Sequence, residues 1–308
     1  MIRSFIDQHR QAFGVEPLCS VLQCAPSAYR RYAARQRDPS LRSERAKRDE
    51  QISAQVSHLW RVNHSVYGAD KLWQQMRRER IEVARCTVER LMQRLGIQGV
   101  RRGKTQRTTR PDPKQPCPLD HVNRLFVAER PNQLWVADFT YVSTWQGFVY
   151  VAFVIDVFAR RIVGWRVSRN MQTDFVLDAL EQALYARRPD PNELIHHSDR
   201  GSQYLSIRYS QRLAEAHIES SVGSKGDSYD NALAETINGL YKAEVIHRRS
   251  SWKTIEAVEM ATLEWVAWFN HQRLLAPIGY IPPAEAEANY YAALATRKTE
   301  TNEQLTPA

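Results

Sequence analysis

Residues 133–168 read QLWVADFTYVSTWQGFVYVAFVIDVFARRIVGWRVS, and this stretch decides the architecture. Its first part, 133–144, alternates, with Leu134, Val136, Asp138, Thr140 and Val142 on one face, as a β-strand requires. Its middle, 147–160, is continuously apolar and rich in β-branched and aromatic residues, the composition of a central strand buried on both sides. Its end, RIVGWRVS (161–168), is a third strand close enough to complete a meander.

Further along, the period changes. QTDFVLDALEQALYARR (172–188) reads as a helix, ELIHHSD (193–199) as a strand, SIRYSQRLAEAH (206–217) as a helix and IESSVG (218–223) as a strand. SYDNALAETINGLYKAEVI (228–246) closes the series as a long helix. Three antiparallel strands followed by alternating helices and strands predict an α/β domain with a mixed five-stranded sheet and flanking helices, the order found in ribonuclease H-like folds. The stripe Val258, Ala261, Trp265, Trp268, Phe269 predicts a helix packed into the core.

Upstream the chain is helical and basic. Residues 1–110 hold 23 Lys+Arg against 10 Asp+Glu, net +13, whereas 111–308 hold 20 against 24, net −4, out of a whole-chain charge of +9. FIDQHRQAFG, VEPLCSVLQCAPSAYRRYAARQ and residues 50–62 have apolar residues at helical spacing. YGADKLWQQMRRERIEVARCTVERLMQRLGIQGVRR (67–102) predicts a helix over 69–80, a turn, and a second helix over 87–95 with Thr87 as N-cap and Gly96 as its stop. Helix, short turn, helix is the geometry that places a second helix in the DNA major groove. Phosphate neutralisation is the use expected of its charge. The basic residues expected to touch DNA there are Arg85, Arg90, Arg94, Arg101, Arg102 and Lys104. The other reading of this pair is a solvated basic surface docking on a protein.

RRGKTQRTTRPDPKQPCPLD (101–120) places Pro111, Pro113, Pro116 and Pro118 within eight residues and reads as a stiff linker. The expected organisation is an N-terminal helical region (1–60), a small all-α helix-turn-helix domain (61–110), a Pro-rich linker (111–130), a catalytic core with its C-terminal helix (131–290) and a flexible tail (291–308). At 308 residues and ~100–200 residues per domain, a chain of this length carries two domains.

Composition excludes several classes. The longest apolar run, Val149 to Val157, contains Asp156 and is far short of the ~20 residues of a membrane span. The first ten residues scatter charges and lack the apolar run of a secretory signal, so a cytoplasmic, nucleoid-associated protein is expected. Cys19, Cys24, Cys86 and Cys117 form no CxxC pair and read as reduced, mostly core thiols.

Three acids stand out. Asp138 lies in an apolar strand, where an uncompensated carboxylate is costly. Asp199 ends the strand LIHHSD as the chain turns into Arg200-Gly201-Ser202, at the edge where ligands gather in α/β sheets. Glu235 lies in the last long helix of the core, with Asn231, Asn238 and Lys242 at i−4, i+3 and i+7 on its face. Sixty residues lie between Asp138 and Asp199, and 35 between Asp199 and Glu235. Clustered without metal, three acids would repel one another and raise their pKa values, so the cluster makes sense mainly as a metal site. Competing readings are weaker. Ser198 beside His197 has no strained nucleophile turn around it, His196 and His197 are weak metal-ligand candidates, and Asp156 reads as a structural acid.

The strings WVADFTYV, HSDRGSQY and GDSYDNALAE resemble the core of bacterial insertion-sequence transposases whose second reading frame encodes a retroviral-integrase-like enzyme. The resemblance covers nearly the whole chain, including the helix-turn-helix at 67–102 and the C-terminal WFNHQRLLAPIGYIPPAEAE, where Asn270, Arg273, Gly279, Tyr280 and Pro282 match a family motif and Leu275 stands where a His is usual. It implies Asp138, Asp199 and Glu235 as the catalytic and metal-binding triad. It also implies two Mg²⁺ (or Mn²⁺) ions per active site and Lys242 and Asn231 as DNA contacts. Its implied partners are double-stranded DNA, at least one further copy of the chain at synapsis, and an upstream-frame protein or frameshift fusion, with no membrane. The expected activity is DNA cleavage and strand transfer. The alternatives are a DNA-binding regulator of its own element with an inactive core, and a plain metal-dependent nuclease.

Overall fold

The computed structural model describes residues 2–101, 128–198, 207–222, 231–249 and 251–304. Its centre is a five-stranded sheet of order β3-β2-β1-β4-β5. β1 (Leu134–Thr144), β2 (Gly147–Asp156) and β3 (Arg161–Ser168) form the antiparallel meander. β4 (Ile195–Ser198) and β5 (Glu219–Val222) run parallel to β1. Parallel neighbours need a crossover. Helix α7 (Thr173–Arg187) leads into β4, and α8 (Ile207–Glu215) lies between β4 and β5.

Both sheet faces are covered, which is why β2 is apolar throughout rather than alternating. Trp135, Ala137, Ala152 and Val154 pack with α7 and α8. Leu134, Val136, Val142 and Phe153 pack on the other face with α9 (Ala232–Glu244) and α10 (Ile255–His271). Gly164 lets α7 approach β3, since a Cβ there would come 2.1 Å from the Ala179 carbonyl oxygen. The predicted stripe on α10, Val258, Ala261, Trp265, Trp268 and Phe269, is buried. Asp156 has the structural role expected of it. It is fully buried, accepts from the amides of Asn132 (2.8 Å) and Phe158 (3.0 Å), and faces Arg187.

Ahead of the sheet, α1 (Ile2–Phe13), α2 (Val15–Val21) and α3 (Pro26–Arg37) close on Ile6, Cys19 and Tyr29. A long α4 (Glu44–Val62), capped by Ser43, packs with the helical pair α5 (Ala69–Arg78) and α6 (Arg85–Leu95). The second helix of the pair starts earlier than the sequence predicts. The Thr87 amide already donates to the Ala84 carbonyl (2.9 Å), so Thr87 lies inside the first turn and Ala84 is the N-cap. Gly96 ends the helix in the left-handed conformation, as expected.

Two further expectations are corrected. Among the described cysteines only Cys19 is buried, Cys86 being exposed on α6. Helix α11 (Pro283–Gln304) runs through most of the stretch expected to be a flexible tail.

The helix-turn-helix is fastened to the core by the C-terminal motif. The Tyr67 hydroxyl accepts from the Leu274 amide (2.7 Å), Trp268 donates to Asn63 (3.3 Å), Tyr280 donates to Asp70 (2.7 Å), and Arg78 pairs with Glu285. Asn270 brackets β3 by exchanging two hydrogen bonds with the Ile162 backbone, at 3.0 and 2.8 Å. These contacts give Asn270 and Tyr280 architectural work, and Leu275 is buried among them without any need for a His.

Candidate active site

Asp138 is the first residue of β1 beyond its pairing with β4, which ends at Ala137 opposite Ser198. Both strands run toward this point, the carboxyl edge of a parallel pair, where α/β sheets place ligands. The residues preceding the two predicted aspartates are thus neighbours in the sheet; Asp199 itself lies outside the described residues.

Helix α9 completes the corner. The polar face predicted from its spacing lies along β1. Asn231 donates to the Ala137 carbonyl (2.8 Å), Asn238 donates to Asp138 Oδ2 (2.8 Å), and Lys242 Nζ lies 4.9 Å from the Tyr141 ring centroid. Leu233, Ile237 and Tyr241 carry the helix's apolar side into the core. The Phe139 amide donates to Asp138 Oδ1 (2.8 Å), so both carboxylate oxygens accept hydrogen bonds and the rotamer is set. Glu235, in the first turn of α9, is exposed. A carboxylate there sits at the positive end of the helix dipole.

Among the described residues no three His, Cys, Asp or Glu side chains gather as a metal cage. What β1 and α9 offer is oxygen. Besides Asp138 and Glu235, the buried amide oxygens of Asn231 and Asn238 have no donor among the described residues. An oxygen-only set suits Mg²⁺ or Mn²⁺ and their retained waters, and does not suit zinc.

The histidines have another use. His197 of β4 and Ser221 of β5 share a hydrogen bond of 3.0 Å, and His196 shares one of 3.1 Å with Tyr209 of α8 on the other face of the sheet; all four side chains are buried. Burial, and then His197, push the His196 imidazole down to about 4.

On the helical pair, Arg85, Arg94 and Arg101 are exposed. Arg90 forms a bidentate pair with Asp49 of α4, at 2.8 and 3.0 Å, and its guanidinium holds the Asp49 carboxyl below the usual range. The pair joins α6 to α4, while the Arg90 side chain stays 42% exposed. Arg102 and Lys104 lie outside the described residues. The residue the sequence reading undervalued is Asn238, noted as sharing the face of Glu235 but not as the partner of Asp138.

Comparisons with known proteins identify the family. Residues 128–228 and 216–283 each match a family model described as an integrase core domain, and residues 47–105 match an HTH-like domain. The chain is 60% identical over 289 residues to the transposase for insertion sequence element IS629 of Shigella sonnei, covering 94% of this chain and 96% of that one. It is 58% identical over 184 residues to the transposase for insertion sequence element IS3411 of Escherichia coli, covering 60% of this chain and 76% of that one. Among solved structures it is similar to a chain of the simian T-cell lymphotropic virus intasome (TM-score 0.46, 14% identity, 75% of this chain and 74% of that one), a likeness too loose to carry function. An integrase core behind a helix-turn-helix-like domain defines a DDE-type polynucleotidyl transferase. The chain belongs to the insertion-sequence transposases, with the retroviral-integrase-like core of their second-frame proteins.

Proposed function

We propose that this chain cleaves and joins DNA at the ends of an insertion sequence, with Asp138, Asp199 and Glu235 as its catalytic acids. The observation that carries the reading is the corner where β1 and α9 meet, with the Asp138 carboxylate oriented from both sides and Glu235 one turn before its partner Asn238. The three acids would hold the divalent ions, two Mg²⁺ or Mn²⁺ per active site. When bound, such ions neutralise charge on the attacking and leaving oxygens of an in-line displacement.

The protein's own groups position the reactants. Asn238 and the Phe139 amide hold the Asp138 carboxylate in one orientation. Asn231 holds α9 to the β1 backbone, so that Glu235 keeps its place relative to Asp138. Lys242 contacts the DNA backbone beyond the scissile phosphate. Water is the nucleophile for nicking, and the freed 3′-hydroxyl for strand transfer.

End recognition belongs to α6, which presents Arg85 and Arg94 to the major groove, with Arg101, Arg102 and Lys104 on phosphates. Synapsis of two ends requires at least two copies of the chain. An upstream-frame protein or a frameshift fusion supplies the remainder of specific binding. A dormant core acting as a regulator is not favoured, because the close relatives are named transposases.

The test is a Mg²⁺- or Mn²⁺-dependent cleavage and strand-transfer assay on labelled DNA carrying the flanking ends, with the upstream-frame protein present. Asp138→Asn, Asp199→Asn and Glu235→Gln are expected to abolish both products while retaining end binding. Cleavage that survives any one of these changes removes that residue from the triad.

A further inference from the structure

The β1–β2 hairpin exposes three aromatic rings within eight residues. Tyr141 is 59% exposed, Trp145 71% and Phe148 57%. A soluble chain rarely leaves such a patch in water unless something covers it.

The rings are ordered and flanked by cations. Tyr141 and Phe148 meet edge to face, 5.5 Å between centroids. Lys242 Nζ lies 4.9 Å from the Tyr141 centroid, and Lys253 Nζ 5.4 Å from that of Trp145. The Trp145 amide donates to the Trp252 carbonyl at 2.9 Å, tying the hairpin tip to the segment that carries Lys253. Arg169 donates to Gln146 at 3.1 Å, and one carboxylate, that of Glu256, lies 3.8 Å from Arg169.

Two features favour nucleic acid over a protein partner. Lysine is depleted in protein–protein interface cores, yet here lysines sit on the rings themselves. The strip also adjoins the proposed active site through Lys242, which lies on α9 seven residues after Glu235 and reaches the Tyr141 ring, although Tyr141 projects from the face of β1 opposite Asp138. Trp145 follows Tyr141 by four residues, about 13 Å along the strand direction. Rings offered beside cations are the components of a single-strand platform, where unstacked bases lie on aromatic faces and the backbone follows positive charge. A duplex presents only base edges and phosphates to such a surface.

We infer that the hairpin Tyr141–Phe148, with Lys242 and Lys253, binds unpaired nucleotides of the DNA adjoining the scissile phosphate. This deepens the transposase reading and rests on it for the identity of the nucleic acid.

The experiment is equilibrium binding of the full chain, in EDTA, to a labelled duplex with a single-stranded overhang of about five nucleotides and to the same duplex blunt. Without metal no chemistry contributes, so failure of the catalytic assignment leaves this measurement intact. The double variant Trp145→Ala/Phe148→Ala is expected to lose about tenfold in overhang affinity and less than about twofold on the blunt duplex, as stacking on lost rings requires. Trp145→Phe with Phe148 retained is expected to keep most of the affinity. Equal losses on both substrates, or no loss, would overturn the inference. So would light scattering that shows the double variant dissociating a dimer while its overhang affinity is unchanged, because the rings would then face a second copy of the chain.

Discussion

Asn238 of α9 donates Nδ2 to the Oδ2 of Asp138 on β1 across 2.8 Å, joining residues one hundred positions apart at the point where the parallel strands end. The bond offsets the cost of a carboxylate in an apolar strand and sets the direction in which the remaining lone pairs point.

Asn238→Ala is expected to lower the single-turnover cleavage rate by about 10- to 100-fold and to raise the metal concentration needed for half-maximal rate. Asn238→Asp is expected to be worse, because a second carboxylate at this distance raises the pKa of Asp138. A rate within twofold of wild type in both variants would show that Asn238 does no positioning.

The Glu244–Arg273 pair, each side chain 3% exposed, also accepts a 3.0 Å hydrogen bond from Trp265 Nε1. Arg273→Met leaves that carboxylate buried and unpaired and is expected to cost about 3–5 kcal/mol, read as a lowered urea midpoint. Glu244→Gln/Arg273→Met, which removes both charges, is expected to recover much of the loss.

His196 has its folded pKa depressed to about 4 from an ordinary 6.5, by burial first and then by His197. The unfolded chain therefore binds the proton first. Stability contributed by the neutral ring is full above about pH 6.5 and falls as pH drops toward about 4, by up to about 3 kcal/mol. Chemical denaturation of the full chain at a series of pH values is expected to show that slope, and His196→Gln to flatten it. An equal slope in the variant would place the titration elsewhere.

Gly164→Ala would put a methyl 2.1 Å from the Ala179 carbonyl oxygen and 3.0 Å from the Ala183 Cβ. Because the first obstacle is helix backbone, α7 must move away from β3. A loss of about 1–3 kcal/mol or more is expected, measured by thermal unfolding. A neutral Gly164→Ala would show that α7 yields without cost.

Reading β1, β2 and β3 from the sequence worked because a strand buried on one or both faces declares itself in its own side chains. β3 spans the predicted residues, and β1 starts one residue later than expected. Boundaries set by backbone hydrogen bonds were less legible. Thr87 has the chemistry of an N-cap, but packing of α5 against α6 starts the helix two residues earlier. That the Arg90 guanidinium pairs with Asp49, 41 residues away, was not legible in the sequence either.

By itself the sequence determined the elements, their order, the charge division between the two halves and the candidate acids. Each of these depends on residues a few positions apart, whose period is imposed by local backbone geometry. Only the tertiary structure decided that Asn238 serves Asp138, that Tyr67 and Tyr280 bind the helix-turn-helix to the core, and that three aromatic rings remain in water beside lysines. Those relationships join positions up to 210 residues apart. Such pairings follow from how whole faces close over one another, and the local pattern of a chain does not encode them.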